Sequence, residues 1–208
     1  MIGIIDYGMG NLYSVAKAIE RLGKEAELVE KPAQLKRAKK LILPGVGAFG
    51  DAMKELNRRD LVKAIREAVG NGTPLLGVCL GLQLLFEKSD EGGEHAGLGF
   101  LRGKVLKFSP FPNGKEKRLK IPHMGWNQVS FKNRSSVLFK GVPENQYFYF
   151  VHSYYVAPED PQITAGETEY GTTFTSVVSS GHIYGCQFHP EKSHTFGQAV
   201  LKNFLEAA

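Results

Sequence analysis

Cys79 stands two residues from a glycine on either side, in the run Pro74-Leu75-Leu76-Gly77-Val78-Cys79-Leu80-Gly81-Leu82-Gln83. This is the G-x-nucleophile-x-G pattern of a sharp strand-to-helix turn, with a thiol in place of the usual hydroxyl. Such an elbow lifts its central side chain clear of the backbone, and small flanking residues let strand and helix pack closely. The spacing places Cys79 at a strand's carboxyl end and a helix's N-terminus. Free amides and the helix dipole favour a thiolate there, and open α/β sheets bind ligands beyond those same strand ends. A lone cysteine is ordinarily a small buried hydrophobe; the elbow spacing reverses that reading for Cys79. Cys186 has only a strand-like pattern around it and is read as core.

A thiol nucleophile needs a base. Gln187-Phe188-His189-Pro190-Glu191 supplies His189 and Glu191 two residues apart at the end of a strand-like run, so both side chains share one face. A carboxylate beside an imidazole fixes its tautomer and stabilises the imidazolium, as the third member of a triad does. Taken alone, His-Pro-Glu is more often a surface turn; a Cys elbow elsewhere in an α/β chain changes that. A third segment, Pro44-Gly45-Val46-Gly47-Ala48-Phe49-Gly50, follows a predicted strand. Its glycines let backbone amides turn inward as an anion nest, which a tetrahedral intermediate requires. The amide of Leu80 is the natural second donor. A competing motif, Gly8-Met9-Gly10-Asn11-Leu12-Tyr13, echoes a dinucleotide fingerprint. Tyr13 stands where a third glycine must allow close packing, which argues against nucleotide binding.

These residues need a scaffold that presents strand ends together. The first half predicts strands at Ile2–Asp6, Ala26–Val29, Lys40–Leu43 and Leu75–Val78. Helical patterns alternate with them at Leu12–Leu22 (capped by Asn11), Phe49–Leu56, Leu61–Val69 and Leu80–Phe86. Such βαβα alternation implies a parallel sheet with helices on both faces. The second half is β-rich, at Val105–Phe108, Val129–Phe131, Tyr147–Val156, Thr172–Ser179 and Ile183–Phe188, with a closing helix at Ala199–Leu205. The stretch Asp90–Gly99 reads as a loop. The expected fold class is α/β: a mostly parallel central sheet flanked by helices, with an additional antiparallel portion. The 208 residues fit one domain spanning 1–208.

Two cysteines call for no disulfide framework, which favours a reducing, cytoplasmic setting. The N-terminus opens directly on a strand-like run without the features of a signal peptide, and no apolar run is long enough to span a membrane. The net charge of +5 arises partly from basic clusters at 31–40 and 102–120. No nucleic-acid recognition motif accompanies them, so they read as solvated surface, with an acidic protein partner as the alternative.

The elbow, the His-Pro-Glu and the Pro-Gly-Val-Gly loop together resemble the triad (class I) glutamine amidotransferases. Longer segments narrow the resemblance to the glutaminase subunits of imidazole glycerol phosphate synthases. These are Asp6-Tyr7-Gly8-Met9-Gly10-Asn11-Leu12, Lys120-Ile121-Pro122-His123-Met124-Gly125-Trp126-Asn127, Phe148-Tyr149-Phe150-Val151-His152-Ser153-Tyr154-Tyr155 and Gln187-Phe188-His189-Pro190-Glu191-Lys192-Ser193. The likeness runs nearly end to end. Glutaminases serving pyridoxal phosphate or guanylate synthases usually carry Pro-Gly-Gly where this chain has Pro-Gly-Val-Gly. A scaffold or nucleotide-binding module with a degenerate site is disfavoured by the intact Cys79, His189 and Glu191.

The resemblance implies an enzyme that needs no cofactor or metal. Cys79 attacks the glutamine side-chain amide, His189 is base and then acid, and Glu191 orients His189. Amides near Val46, Gly47 and Leu80 hold the oxyanion, while Gln83, Gly47, Ser153 and Tyr154 hold substrate. Ammonia then passes to a cyclase subunit, a (β/α)8 barrel, which makes imidazole glycerol phosphate and aminoimidazole carboxamide ribotide in histidine biosynthesis. This chain has no room for the barrel, so the partner is a separate protein in a heterodimer. Lys192, His123, Met124, Trp126 and Asn127 are the candidates for the partner face. The resemblance also implies a glutaminase nearly idle until its partner binds ligand. A Val46–Gly47 peptide whose N–H points away from the oxyanion at rest would account for that, and Gly47 would make the flip easy.

Overall fold

The computed structural model describes residues 1–111 and 118–207. The chain begins with β1 (Ile2–Ile5), α1 (Leu12–Arg21), β2 (Ala26–Val29), α2 (Pro32–Leu35) and β3 (Lys40–Gly45). Next come α3 (Phe49–Arg58), α4 (Leu61–Gly70), β4 (Leu75–Cys79) and the short α5 (Leu80–Leu84). The β-rich half follows as β5 (Phe86–Ser89), β6 (His95–Ala96), β7 (Leu101–Lys107), β8 (His123–Phe131), β9 (Gln146–His152), β10 (Tyr154–Pro158), β11 (Thr164–Tyr170), β12 (Thr172–Ser180) and β13 (Ile183–Cys186). Helix α6 (His194–Glu206) closes the chain.

The sheet runs β2-β1-β3-β4-β13-β12-β10-β7-β5-β6. Its first five strands are all parallel neighbours. From β12 onward the pairing becomes mainly antiparallel, and β11, β8 and β9 extend this portion to one side. The last parallel strand, β13, comes from the far end of the sequence. It carries the segment after it to the carboxyl end of β4, where ligands of such sheets bind.

Period-two alternation explains why helices cover both faces of the parallel part. Leu41 and Leu43 of β3 point into one apolar cluster with Phe49, Leu56, Leu61 and Ile65 from α3 and α4. Ile42, between them, points into the other with Val15, Ile19, Val200 and Phe204 from α1 and α6. Helix α1 starts where Asn11 accepts a hydrogen bond from the Ser14 amide at 3.3 Å, as a capping side chain should.

Several elements depart from the sequence expectation. The expected helix Leu80–Phe86 ends at Leu84, and Phe86 already begins β5, which pairs with β7. The expected loop 90–99 contains β6, and β11 had no counterpart. The single expected strand Tyr147–Val156 is two strands broken at Ser153. The basic run 102–120 falls partly on residues 112–117, outside those described. Among the described residues, no helix is long and apolar enough to cross a membrane.

Candidate active site

The elbow at Cys79 is a consequence of three backbone facts. Strand β4 is buried along its whole length, and it ends at Cys79 with φ 55° and ψ −111°. A non-glycine residue in that region stores strain that the surroundings must hold. The flanking glycines make this possible. A Cβ on Gly81 would lie 1.7 Å from the Leu43 carbonyl oxygen, and one on Gly77 would lie 2.6 Å from the Gly81 carbonyl oxygen. Only hydrogen fits at either position, so α5 closes directly onto β3 and β4.

Strand β13 is in parallel register with β4, pairing Cys186 with Val78. The chain after β13 therefore runs beside the elbow. Gln187 donates its side-chain N–H to Cys79 Sγ at 3.8 Å. His189 follows, with Nδ1 2.8 Å from Glu191 Oε1. Its position is braced from below: the His189 amide donates to Tyr149 O at 2.9 Å, and Ser193 Oγ donates to His189 O at 2.6 Å. The His189 Nε2 atom is buried and has no hydrogen-bond partner among the described residues. Burial pulls the His189 pKa down, but the Cys79 sulfur and the Glu191 carboxylate outweigh it and raise it to about 10. The site therefore holds its proton on the imidazole at neutral pH.

Cys79 and His189 open into a cavity of about 330 Å³. Its walls include Val46 and Gly47 from the loop after β3, Leu80 and Gln83 from α5, and Ser153 and Tyr154 from the break between β9 and β10. All nine expected catalytic and substrate residues thus lie at one place, Glu191 through its bond to His189. Gly47 has φ 96°, the left-handed region that favours glycine, and a Cβ there would come within 2.8 Å of Met9 Cε. Gln83 is buried, and its Nε2 donates to Tyr154 O at 3.0 Å and to Gln187 Oε1 at 3.1 Å.

Three further residues belong to this site and carried no assignment from sequence. Gln187 touches the sulfur; its signal was the period-two spacing that puts it on the His189 side of an extended run. Glu91 lines the cavity and accepts the Phe49 amide at 2.8 Å, which tethers the loop 90–94 to the start of α3. His152 lines the cavity next to Ser153 and Tyr154.

The candidate partner residues divide. Met124 and Trp126 are 62% and 45% exposed. Trp126 stacks on His194 with ring centroids 4.8 Å apart, so it is a surface aromatic and not a core anchor. Lys192 is exposed with its ammonium 5.9 Å from the Tyr149 ring, and Asn127 is half-buried. His123 departs from the expectation. It is 3% exposed and stacked between Phe150 and Tyr170, because β8 alternates and His123 points inward where Met124 points out. A buried ring presents nothing to a partner surface.

A cysteine on a strained elbow, an ion-paired His-Glu and a glycine loop line one cavity on an α/β sheet, an arrangement with the parts that acyl transfer requires. The model of the class-I glutamine amidotransferases matches residues 3–208, and the chain belongs to that family. Similar solved structures include a glutamine amidotransferase (TM-score 0.74, 21% identity, 99% of this chain and 97% of that one). Another is PurLQS from Thermotoga maritima (TM-score 0.76, 19% identity, 98% and 96%). These share the fold. Among sequence relatives, the imidazole glycerol phosphate synthase subunit HisH of Moorella thermoacetica is 53% identical over 99% of this chain and 94% of its own. The HisH subunit of Bacillus subtilis is 49% identical over 100% of this chain and 97% of its own.

Proposed function

We propose that Cys79, His189 and Glu191 hydrolyse the side-chain amide of glutamine, in a chain that serves as the glutaminase subunit of imidazole glycerol phosphate synthase. The observation that carries the chemistry is that the elbow thiol and the Glu191-paired His189 line one small cavity. The Cys79 thiolate attacks the amide carbon, and the carbonyl electrons move onto oxygen. Amides of Gly47 and Leu80 receive that oxyanion. As it collapses, the C–N bond breaks and His189 gives its proton to the nitrogen, which leaves as ammonia. Water then loses a proton to His189 and attacks the thioester, and glutamate departs with Cys79 restored. Glu191 keeps the imidazole in the orientation both steps need.

The ammonia goes to a separate cyclase subunit of (β/α)8 form, which builds imidazole glycerol phosphate. Near-complete coverage by two relatives named as subunits of that synthase supports this assignment. Met124, Trp126, Asn127 and Lys192 form the proposed contact face; Met124 pairs with Val151 of β9, which lines the cavity, and Trp126 with Tyr149, whose ring Lys192 lies over.

The test is to mix the chain with a cyclase subunit and its nucleotide ligand while following glutamine hydrolysis. Stimulation well above the rate of the isolated chain is expected. Glutamine hydrolysis that ignores the cyclase and its ligand would sink the synthase assignment and leave the glutaminase chemistry standing.

A further inference from the structure

Two buried histidines that the reaction does not use connect the cavity to the surface. His152 Nδ1 lies 2.7 Å from Tyr154 O, and its Nε2 lies 2.9 Å from His123 Nδ1. His123 Nε2 lies 3.2 Å from Asn127 Nδ2. Both ends of this chain are fixed by backbone. Asn127 Oδ1 accepts from the Gln128 amide at 2.8 Å and its Nδ2 donates to Glu169 O at 2.9 Å, which sets the amide's orientation. At the other end a carbonyl can only accept.

These constraints leave a single arrangement. Asn127 donates, so His123 Nε2 accepts and its Nδ1 carries the hydrogen. His123 Nδ1 donates, so His152 Nε2 accepts and its Nδ1 donates to Tyr154 O. An extra proton on His152 would set two N–H groups against each other. Burial is consistent with this, drawing His123 down to about 4 and His152 to about 3. The Tyr154 carbonyl therefore receives two N–H groups, from His152 and from Gln83, which fills both lone pairs. Gln83 in turn holds Gln187 against the Cys79 sulfur.

We infer that His152 and His123 are positioning residues for substrate: a one-way hydrogen-bond chain from Asn127 through both rings fixes the Tyr154 carbonyl, and with it the Ser153–Tyr154 wall and Gln83. This rests on the reading of the cavity as the glutamine site. It gives these rings a task beyond packing, because it depends on which nitrogen bears hydrogen.

The experiment measures KM and kcat for glutamine in the complex with cyclase and its ligand. In His152→Leu, KM should rise about tenfold while kcat stays within about threefold, as for loss of one buried hydrogen bond that orders a binding wall. In His152→Asn the amide can replace Nδ1–H, and most of the loss should return. His123→Phe should raise KM less than His152→Leu. An Asn variant no better than Leu, or an order that does not fall with distance from Tyr154, overturns the inference. A second readout needs no variant: ¹⁵N spectra of the wild-type histidines should show Nδ1–H on both rings, and Nε2–H on either overturns it. If the wild-type complex hydrolyses no glutamine, the reading of the cavity fails and takes the positioning role with it. If it does and His152→Leu keeps the wild-type KM, only the positioning role fails.

Discussion

Strands β4 and β13 lie side by side and parallel, and each carries a cysteine at its carboxyl end. The two thiols meet opposite fates. Cys79 is turned out of its strand by a positive φ and faces Gln187 and the cavity. Cys186 stays within the strand, fully buried, and burial pushes its thiol well above the ordinary range, with the charges of Glu191 and Cys79 adding to that. Residue type is the same in both. What differs is the backbone beneath, and the glycine clearances that let one backbone turn. On the proposed chemistry, reactivity here is a property of the elbow more than of sulfur.

The strongest way to break this comparison is to exchange neither thiol for the other but to remove each. Cys79→Ala should lower partner-stimulated glutamine hydrolysis by at least about 10⁴-fold and abolish labelling by a glutamine-mimicking electrophile. Cys186→Ala should keep its rate within about threefold and lose about 1–2 kcal/mol of stability as a small core truncation. Equal labelling of the two cysteines would end the distinction.

A smaller effect sharpens the role of the glycines. Gly81→Ala drives a methyl into the Leu43 carbonyl, which cannot yield, and should cost more than about 4 kcal/mol in urea unfolding. On β13, a Cβ at Gly185 meets chiefly the Leu82 side-chain tip at 2.4 Å, which can move. Gly185→Ala should cost about 1–3 kcal/mol. Equal costs would mean that the elbow has no special need for its glycine.

The subtlest test is of proton placement. His189 is raised on folding from 6.5 to about 10, so its contribution to stability is complete below 6.5 and is lost as pH climbs toward 10. Cys79→Ala removes a principal raising influence and leaves the lowering effect of burial. The His189 titration, followed by NMR, should move down in that variant, and the loss of stability across that window should flatten. An unmoved midpoint would show that the sulfur does not hold the proton in place.

Legibility from sequence followed how local each determinant is. Helices α1, α3 and α4 were plain because their apolar stripes recur at helical spacing over ten residues each. Strand β11 was hidden because Thr164-Ala165-Gly166-Glu167-Thr168-Glu169-Tyr170 holds few apolar side chains and becomes a strand by pairing with β12. The helix after Cys79 was overextended for the converse reason: Leu84-Leu85-Phe86 is apolar throughout, and only pairing with β7 makes its end a strand. In the site, Cys79, His189 and Glu191 were readable because their spacings are short and chemically distinctive. Glu91 and His152 come from loops and strands with no local signature, and tertiary pairing alone brings them to the cavity. His123 departs from expectation because the alternation that β8 imposes turns it inward from a segment that otherwise faces the surface.

The interlock of Gly77 and Gly81 also bears on how this site can change over generations. The space that a Cβ on Gly77 would need is taken by the carbonyl of Gly81, and that on Gly81 by the carbonyl of Leu43. Each obstacle is main chain, so no compensating side chain elsewhere can make room for a substitution at either position. A lineage that loses one of these glycines cannot repair the elbow by altering the other. The turn can be kept or lost only as a block, and its two glycines leave this backbone no gradual route to a side chain at either position.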